Sequence, residues 1–173
     1  MSIVLARALG ERTALESPAD GNATNVRRIV EKLGLRLVET DLGPDVSGLL
    51  VTRPGDVCIA IHTDNPETRK RFTIAHEIGH HLLRHQTIPG EHVHVDRGNL
   101  ISQRGPRASL GIDPKEIEAN QFAAALLMPS QRLRKAASKL SATLFDVHVE
   151  KLALQFEVSE QAMTIRLTAL RLL

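Results

Sequence analysis

Five consecutive residues, His76-Glu77-Ile78-Gly79-His80, have the types and the spacing of a metal-assisted hydrolase. On a helix, residues four apart share a face. Both imidazoles can therefore reach one tetrahedral Zn²⁺, while Glu77 stands to one side, placed to take a proton from a water at the metal. The pentad reads as two ligands and a base. With eight histidines in the chain, chance alone gives such a pentad in about one sequence of this composition in forty, so its surroundings must be weighed.

Catalytic zinc normally has a third protein ligand, and the segment after Asp113 offers one. At about 100° per residue, Ala119, Ala123, Leu126 and Leu127 share the helical face of Glu116. Glu118 falls about 200° away and is expected to meet solvent. A carboxylate aimed into an apolar stripe is costly unless a cation compensates it. The competing reading makes Glu116 the N3 residue of a capping box, Asp113-Pro114-Lys115-Glu116. Asn120, one turn on, favours the ligand role, since it is placed to hydrogen-bond a ligand histidine.

The elements that must hold these residues form an α+β pattern. A short helix and a mobile connection are expected over Leu5 to Asn25, then a helix bearing Val26, Ile29, Val30 and Leu33 that Gly34 closes. Leu35 to Glu39, Gly48 to Arg53 and Val57 to His62 read as strands, with Pro54-Gly55-Asp56 as a hairpin turn. Asn65-Pro66 starts the helix of the pentad, expected to run to about His85. Gln86 to Ile112 reads as a long loop, and such loops are more often functional than idle. Asp113-Pro114 caps a second major helix that ends at Pro129, and the rest is helical.

The 173 residues suit one compact domain with a small appendage, and the core must be aliphatic because Trp and Tyr are absent. A net charge of +2 and a pI near 9.0 permit an acidic partner without demanding one. The single Cys58 excludes an intrachain disulfide and a cysteine-built zinc site, as suits a reducing cytosol. No basic leader and no apolar run near twenty residues is evident, so the chain reads as soluble and cytoplasmic.

Two longer stretches carry a resemblance. Arg71-Phe72-Thr73-Ile74-Ala75-His76-Glu77-Ile78-Gly79-His80-His81 and Glu116-Ile117-Glu118-Ala119-Asn120-Gln121-Phe122-Ala123-Ala124-Ala125-Leu126-Leu127-Met128-Pro129 resemble the ImmA/IrrE family of zinc metallopeptidases. Val46-Ser47-Gly48 and Val158-Ser159-Glu160-Gln161-Ala162-Met163 extend the likeness over most of the chain. The resemblance implies a zincin-like fold, a small antiparallel sheet packed on the pentad helix, with C-terminal helices like a helix-turn-helix. It also implies zinc at His76, His80 and Glu116, with Glu77 as catalytic base. The substrate it implies is a helix-turn-helix repressor or antitoxin, cut to release prophage, mobile-element or DNA-damage genes. The expected organisation is a metallopeptidase domain over 1–138 and a helical subdomain over 139–173.

The remaining histidines divide. His81 and His85 fall on the far side of the pentad helix and are expected to be solvated, while His62, ending an edge strand, and His148 look structural. His92 and His94 alternate within Glu91-His92-Val93-His94-Val95-Asp96. One of them could supply the proton donor or oxyanion partner that a chain without tyrosine must find elsewhere, although idle loop positions are the favoured reading for each. Gln86 stands where the elongated metzincin pattern needs a third histidine. Val149 to Phe156 and Ser159 to Leu170 could be read as a DNA-binding pair of helices, but Glu150, Glu157 and Glu160 would face phosphate there. A helical platform for a protein substrate is preferred. The expected activity is therefore zinc-dependent endopeptidase action, with manganese an alternative metal for a His₂Glu site. The competing function is a regulatory protein that holds a repressor partner or DNA without cutting.

Overall fold

The computed structural model describes residues 2–17, 19–85, 92–96, 113–140 and 145–173. Where the sequence suggested only a short helix, α1 (Ile3–Leu15) runs for 13 residues from Ser2, whose hydroxyl accepts from the Leu5 amide. Its buried face is Ala6, Gly10 and Ala14, small residues four apart that let it lie directly against α4 (Pro114–Leu127). A Cβ at Gly10 would stand 2.5 Å from the Phe122 carbonyl oxygen, so only glycine permits this approach.

After a two-residue ribbon, β1 (Ala19–Asp20) with β2 (Ala23–Thr24), Asn25 caps α2 (Val26–Lys32) by accepting from the Arg28 amide. Gly34 ends that helix at φ 70°, its amide bonded to the Glu31 carbonyl and the Leu35 amide to the Val30 carbonyl. The expected strands form as β3 (Arg36–Thr40), β4 (Gly48–Arg53) and β5 (Asp56–His62), and β6 (His92–Asp96) joins them in the order β3-β5-β4-β6. Arg53 pairs with Asp56 across a turn that needs Gly55 at φ 78°. The sheet is mixed and not wholly antiparallel: β5 folds back from β4 and inserts between β3 and β4, which makes its pairing with β3 parallel. His62 consequently ends a central strand and not the expected edge strand, and it accepts from the Asp64 amide at 3.1 Å.

The pentad helix, α3 (Glu67–Leu82), packs on this sheet. Leu50, Ile59 and Ile61 from the strands meet Ile74 and Ile78 of α3 and Phe122 and Leu126 of α4 in one hydrophobic cluster. After α5 (Ser130–Ser138) come α6 (Asp146–Phe156) and α7 (Glu160–Ala169), joined through Glu157 in the left-handed region, and their Leu152, Phe156, Met163 and Leu167 enter the same cluster. Two buried arginines fasten them. Arg71 of α3 donates to the carbonyls of Thr24 and Glu157 and pairs with the Glu157 carboxylate at 2.9 Å. Arg166 of α7 donates to the Met128 carbonyl and pairs with Glu11 at 2.6 Å. Among the described residues no helix is long and apolar enough to cross a membrane. Of the expected loop over 86–112, the part outside β6 lies outside the described residues.

Candidate metal centre

The helical register of α3 brings the Nε2 atoms of His76 and His80 to 3.0 Å from each other. The facing first turn of α4 adds Glu116, whose two carboxylate oxygens lie 3.3 Å from His76 Nε2 and 3.3 Å from His80 Nε2. Asp113 caps α4 through the Lys115 amide, so the helix start is satisfied while the Glu116 oxygens point to the histidines. The capping-box reading of Glu116 is not realised: Asp113 alone supplies the cap bond, and the Glu116 carboxylate is directed to the histidines.

A fourth group arrives from the sheet. His94 of β6 stacks on His80 with ring centroids 3.8 Å apart, and its Nε2 lies 3.5 Å from Glu116 Oε1. One donor atom from each of His76, His80, His94 and Glu116 falls within 4.8 Å of all the others, a group that could hold a metal ion. Ligands at zinc bond lengths of about 2.0–2.1 Å in a tetrahedron stand roughly 3.3 Å apart, close to the 3.0 and 3.3 Å separations among His76, His80 and Glu116. The proton inventory also fits. Asn120 Oδ1 lies 3.0 Å from His76 Nδ1 and fixes that nitrogen as the donor. In the neutral ring His76 Nε2 then carries a lone pair toward the carboxylate and His80, an arrangement that a metal ion or a proton satisfies.

The electrostatics follow from burial and crowding. Burial and the neighbouring His76 and His94 push His80 down to about 4, outweighing the pull of Glu116. Burial also disfavours the charged form of His76, but Glu116, Glu77 and Asp96 reverse that and raise it above its ordinary value. Glu116 would be raised by burial, yet its bonds to the two histidines hold it well below the usual carboxylate range. Glu77 is fully buried beside His76, and neither of its oxygens has a hydrogen-bond partner among the described residues. Desolvation pushes it up to about 8. Gly48 of β4 forms its floor: a Cβ there would collide with Thr73 Cγ2 and lie 3.6 Å from Glu77 Oε1.

Three sequence expectations are corrected. Glu118, expected to meet solvent, is 5% exposed and lies 3.1 Å from His85 Nε2. The helical angle was sound and the assumption of a single buried face was not, because α4 is covered by α1 on one side and by the end of α3 on another. His85 was placed on a solvated helical face, whereas it is 8% exposed. α3 stops at Leu82, Arg84 turns left-handed at φ 54°, and the His85 amide bonds back to the His80 carbonyl, which folds the ring toward α4. His81 is half-buried, and burial lowers its pKa. His94, expected to idle in a loop, belongs to a strand. The alternation over 92–96 was the available signal, and it misleads in one respect: Val93 and Val95 face outward while His94 faces the ligand group. His148 accepts from the Phe145 amide at the start of α6.

Residues 30–168 match the family model described as the IrrE N-terminal-like domain, a peptidase family, and the chain belongs to it. Among solved structures, a Mycobacterium tuberculosis transcriptional regulator superposes with a TM-score of 0.61 at 20% identity, over 94% of this chain and 46% of that one. That likeness carries the fold, and the chain spans about half of that protein's length. No curated protein matches at a significant level.

Proposed function

We propose that this member of the IrrE N-terminal-like peptidase family is a zinc-dependent endopeptidase that cuts a helix-turn-helix transcriptional repressor or antitoxin and so releases the genes it silences. The observation that carries the reading is the convergence of His76, His80 and Glu116 within 3.3 Å beside a buried Glu77 whose oxygens have no hydrogen-bond partner among the described residues. His76, His80 and Glu116 are the proposed metal-holding residues and Glu77 the general base.

When bound, zinc would supply Lewis acidity toward the scissile carbonyl and make an attacking water acidic enough to ionise near neutral pH. Glu77 accepts the water proton at its carboxylate. Its burial favours keeping that proton until it passes to the leaving amine. Asn120 holds His76 with Nε2 toward the site. Manganese fits the same two-imidazole, one-carboxylate set and is the alternative metal.

Residues 1–138 are the proposed catalytic unit, with 139–173 a helical platform packed on it, acting in the cytoplasm. Arg166, which a DNA-reading α7 would need outside, is spent on Glu11 and Met128. This supports a protein partner over nucleic acid. The test is incubation of the zinc-loaded protein with helix-turn-helix repressors encoded beside it. Discrete fragments that vanish with chelator, return with zinc and fail to form with Glu77→Gln are the expected result. Stoichiometric capture of the repressor without fragments would overturn the peptidase reading in favour of a binding regulator.

A further inference from the structure

His85 and Glu118 take no part in the reaction as described, yet both are buried and both point at the ligand group. His85 Nδ1 lies 3.1 Å from His80 Nδ1, and His85 Nε2 lies 3.1 Å from Glu118 Oε2. The three side chains form a line, Glu118 to His85 to His80, that ends at the His80 Nε2 atom aimed at His76 and Glu116.

The proton positions along that line are dictated. A neutral imidazole has one N–H. If His85 gives it to the Glu118 carboxylate, then His85 Nδ1 is an acceptor, and His80 must donate from Nδ1 and present a bare Nε2. The reverse assignment would set the His85 Nε2 lone pair against a buried carboxylate oxygen at 3.1 Å, which is repulsive. His85 is itself held in place: the left-handed turn at Arg84 sets its backbone, and Lys115 Nζ of α4 donates to its carbonyl at 3.0 Å.

We propose that Glu118 and His85 are positioning residues, a relay that locks His80 in the Nδ1–H tautomer, fixes its ring plane and, through the carboxylate, makes its Nε2 a stronger metal ligand. The proposal rests on reading the group as a metal site. The two ligand histidines are then oriented by different means, His76 by a neutral amide and His80 by a carboxylate acting through a second imidazole.

Two readouts other than activity test the relay. In the metal-free protein, long-range ¹⁵N–¹H NMR of the imidazoles at pH 8 should report the Nδ1–H tautomer for His80 in wild type and a mixture in His85→Leu. By chelator competition, His85→Leu and Glu118→Leu should each bind zinc and cobalt 10–100-fold more weakly, and the double variant should be no worse than the weaker single one, since both act through His80. His85→Gln, whose side-chain carbonyl can still accept from His80 Nδ1–H, should recover most of the affinity. Glu118→Gln, a near-isosteric change that preserves packing, should keep the tautomer and lose affinity severalfold. Wild-type affinity in both leucine variants with an unchanged His80 tautomer would overturn the relay and leave the metal site standing. If wild type itself binds neither zinc nor cobalt, the metal-site reading fails, and the relay with it.

Discussion

Replacing Glu77 by Gln keeps the size of the side chain and removes both its charge and its basicity, so its consequences divide cleanly between chemistry and stability. In the folded metal-free protein Glu77 titrates at about 8 against an ordinary 4.5, because burial disfavours its charged form. Between those values the folded state holds a proton that the unfolded chain has released, so stability falls as pH rises through the window. By pH 7 the loss is on the order of 3 kcal/mol, from 1.36 kcal/mol per pH unit. His80 acts oppositely. Its folded value of about 4 lies below the ordinary 6.5, so the metal-free protein gains stability between pH 4 and 6.5, also by on the order of 3 kcal/mol. In wild type the two effects nearly cancel from pH 4.5 to 6.5, after which stability declines toward pH 8. In Glu77→Gln the carboxyl effect is gone, so stability should rise more steeply than in wild type up to pH 6.5 and fall less steeply above it, where the raised pKa of His76 still acts. Burying an amide adds a pH-independent cost of about 1–3 kcal/mol, and so the slope is what is read. Urea unfolding of chelator-treated protein at pH 5, 6.5 and 8.5 measures it. In parallel the variant should keep bound zinc and lose cleavage by at least about 10²–10⁴-fold. Cleavage at the wild-type rate would refute the base assignment, and identical pH slopes would refute the buried, uncompensated state of Glu77.

Glu116→Ala should reduce the zinc content of the purified protein much further than Glu118→Ala, since Glu116 faces the metal group directly and Glu118 reaches it only through His85; equal occupancy would sink the ligand assignment. Gly10→Val should cost about 3 kcal/mol or more, seen as a lowered Tm, because the added Cβ meets the Phe122 carbonyl oxygen and forces α1 from α4. Arg71→Leu should cost about 2–3 kcal/mol in urea unfolding, mostly from the stranded carbonyls of Thr24 and Glu157, since the Glu157 carboxylate is half exposed and screened. Duplex DNA titrated at physiological salt should bind weakly and without sequence preference, with Arg166→Gln lowering stability instead of DNA affinity; operator-specific binding lost in that variant would make α7 a recognition helix.

What the sequence determined by itself was local. The i, i+4 spacing of His76 and His80, the Asp113 cap, the Gly34 stop and the Pro54-Gly55 turn are written in neighbouring residues, because helix periodicity and backbone φ preferences act over a few positions. Glu116 and Asn120 were legible too, since a polar residue in an apolar stripe needs a partner inside. What only the tertiary structure decided depends on elements far apart in the chain. His94 joins the ligand group because β6 pairs with β4, a register that no local pattern states. Glu118 and His85 are buried because α4 is covered on two sides, whereas a helical wheel assumes one core face. β5 runs parallel to β3 because it folds back from β4 and inserts between the two earlier strands, β3 and β4. Arg71 and Arg166, which by type belong at the surface, are drawn inside by the carbonyls they satisfy, and those carbonyls meet them only once the helices have packed.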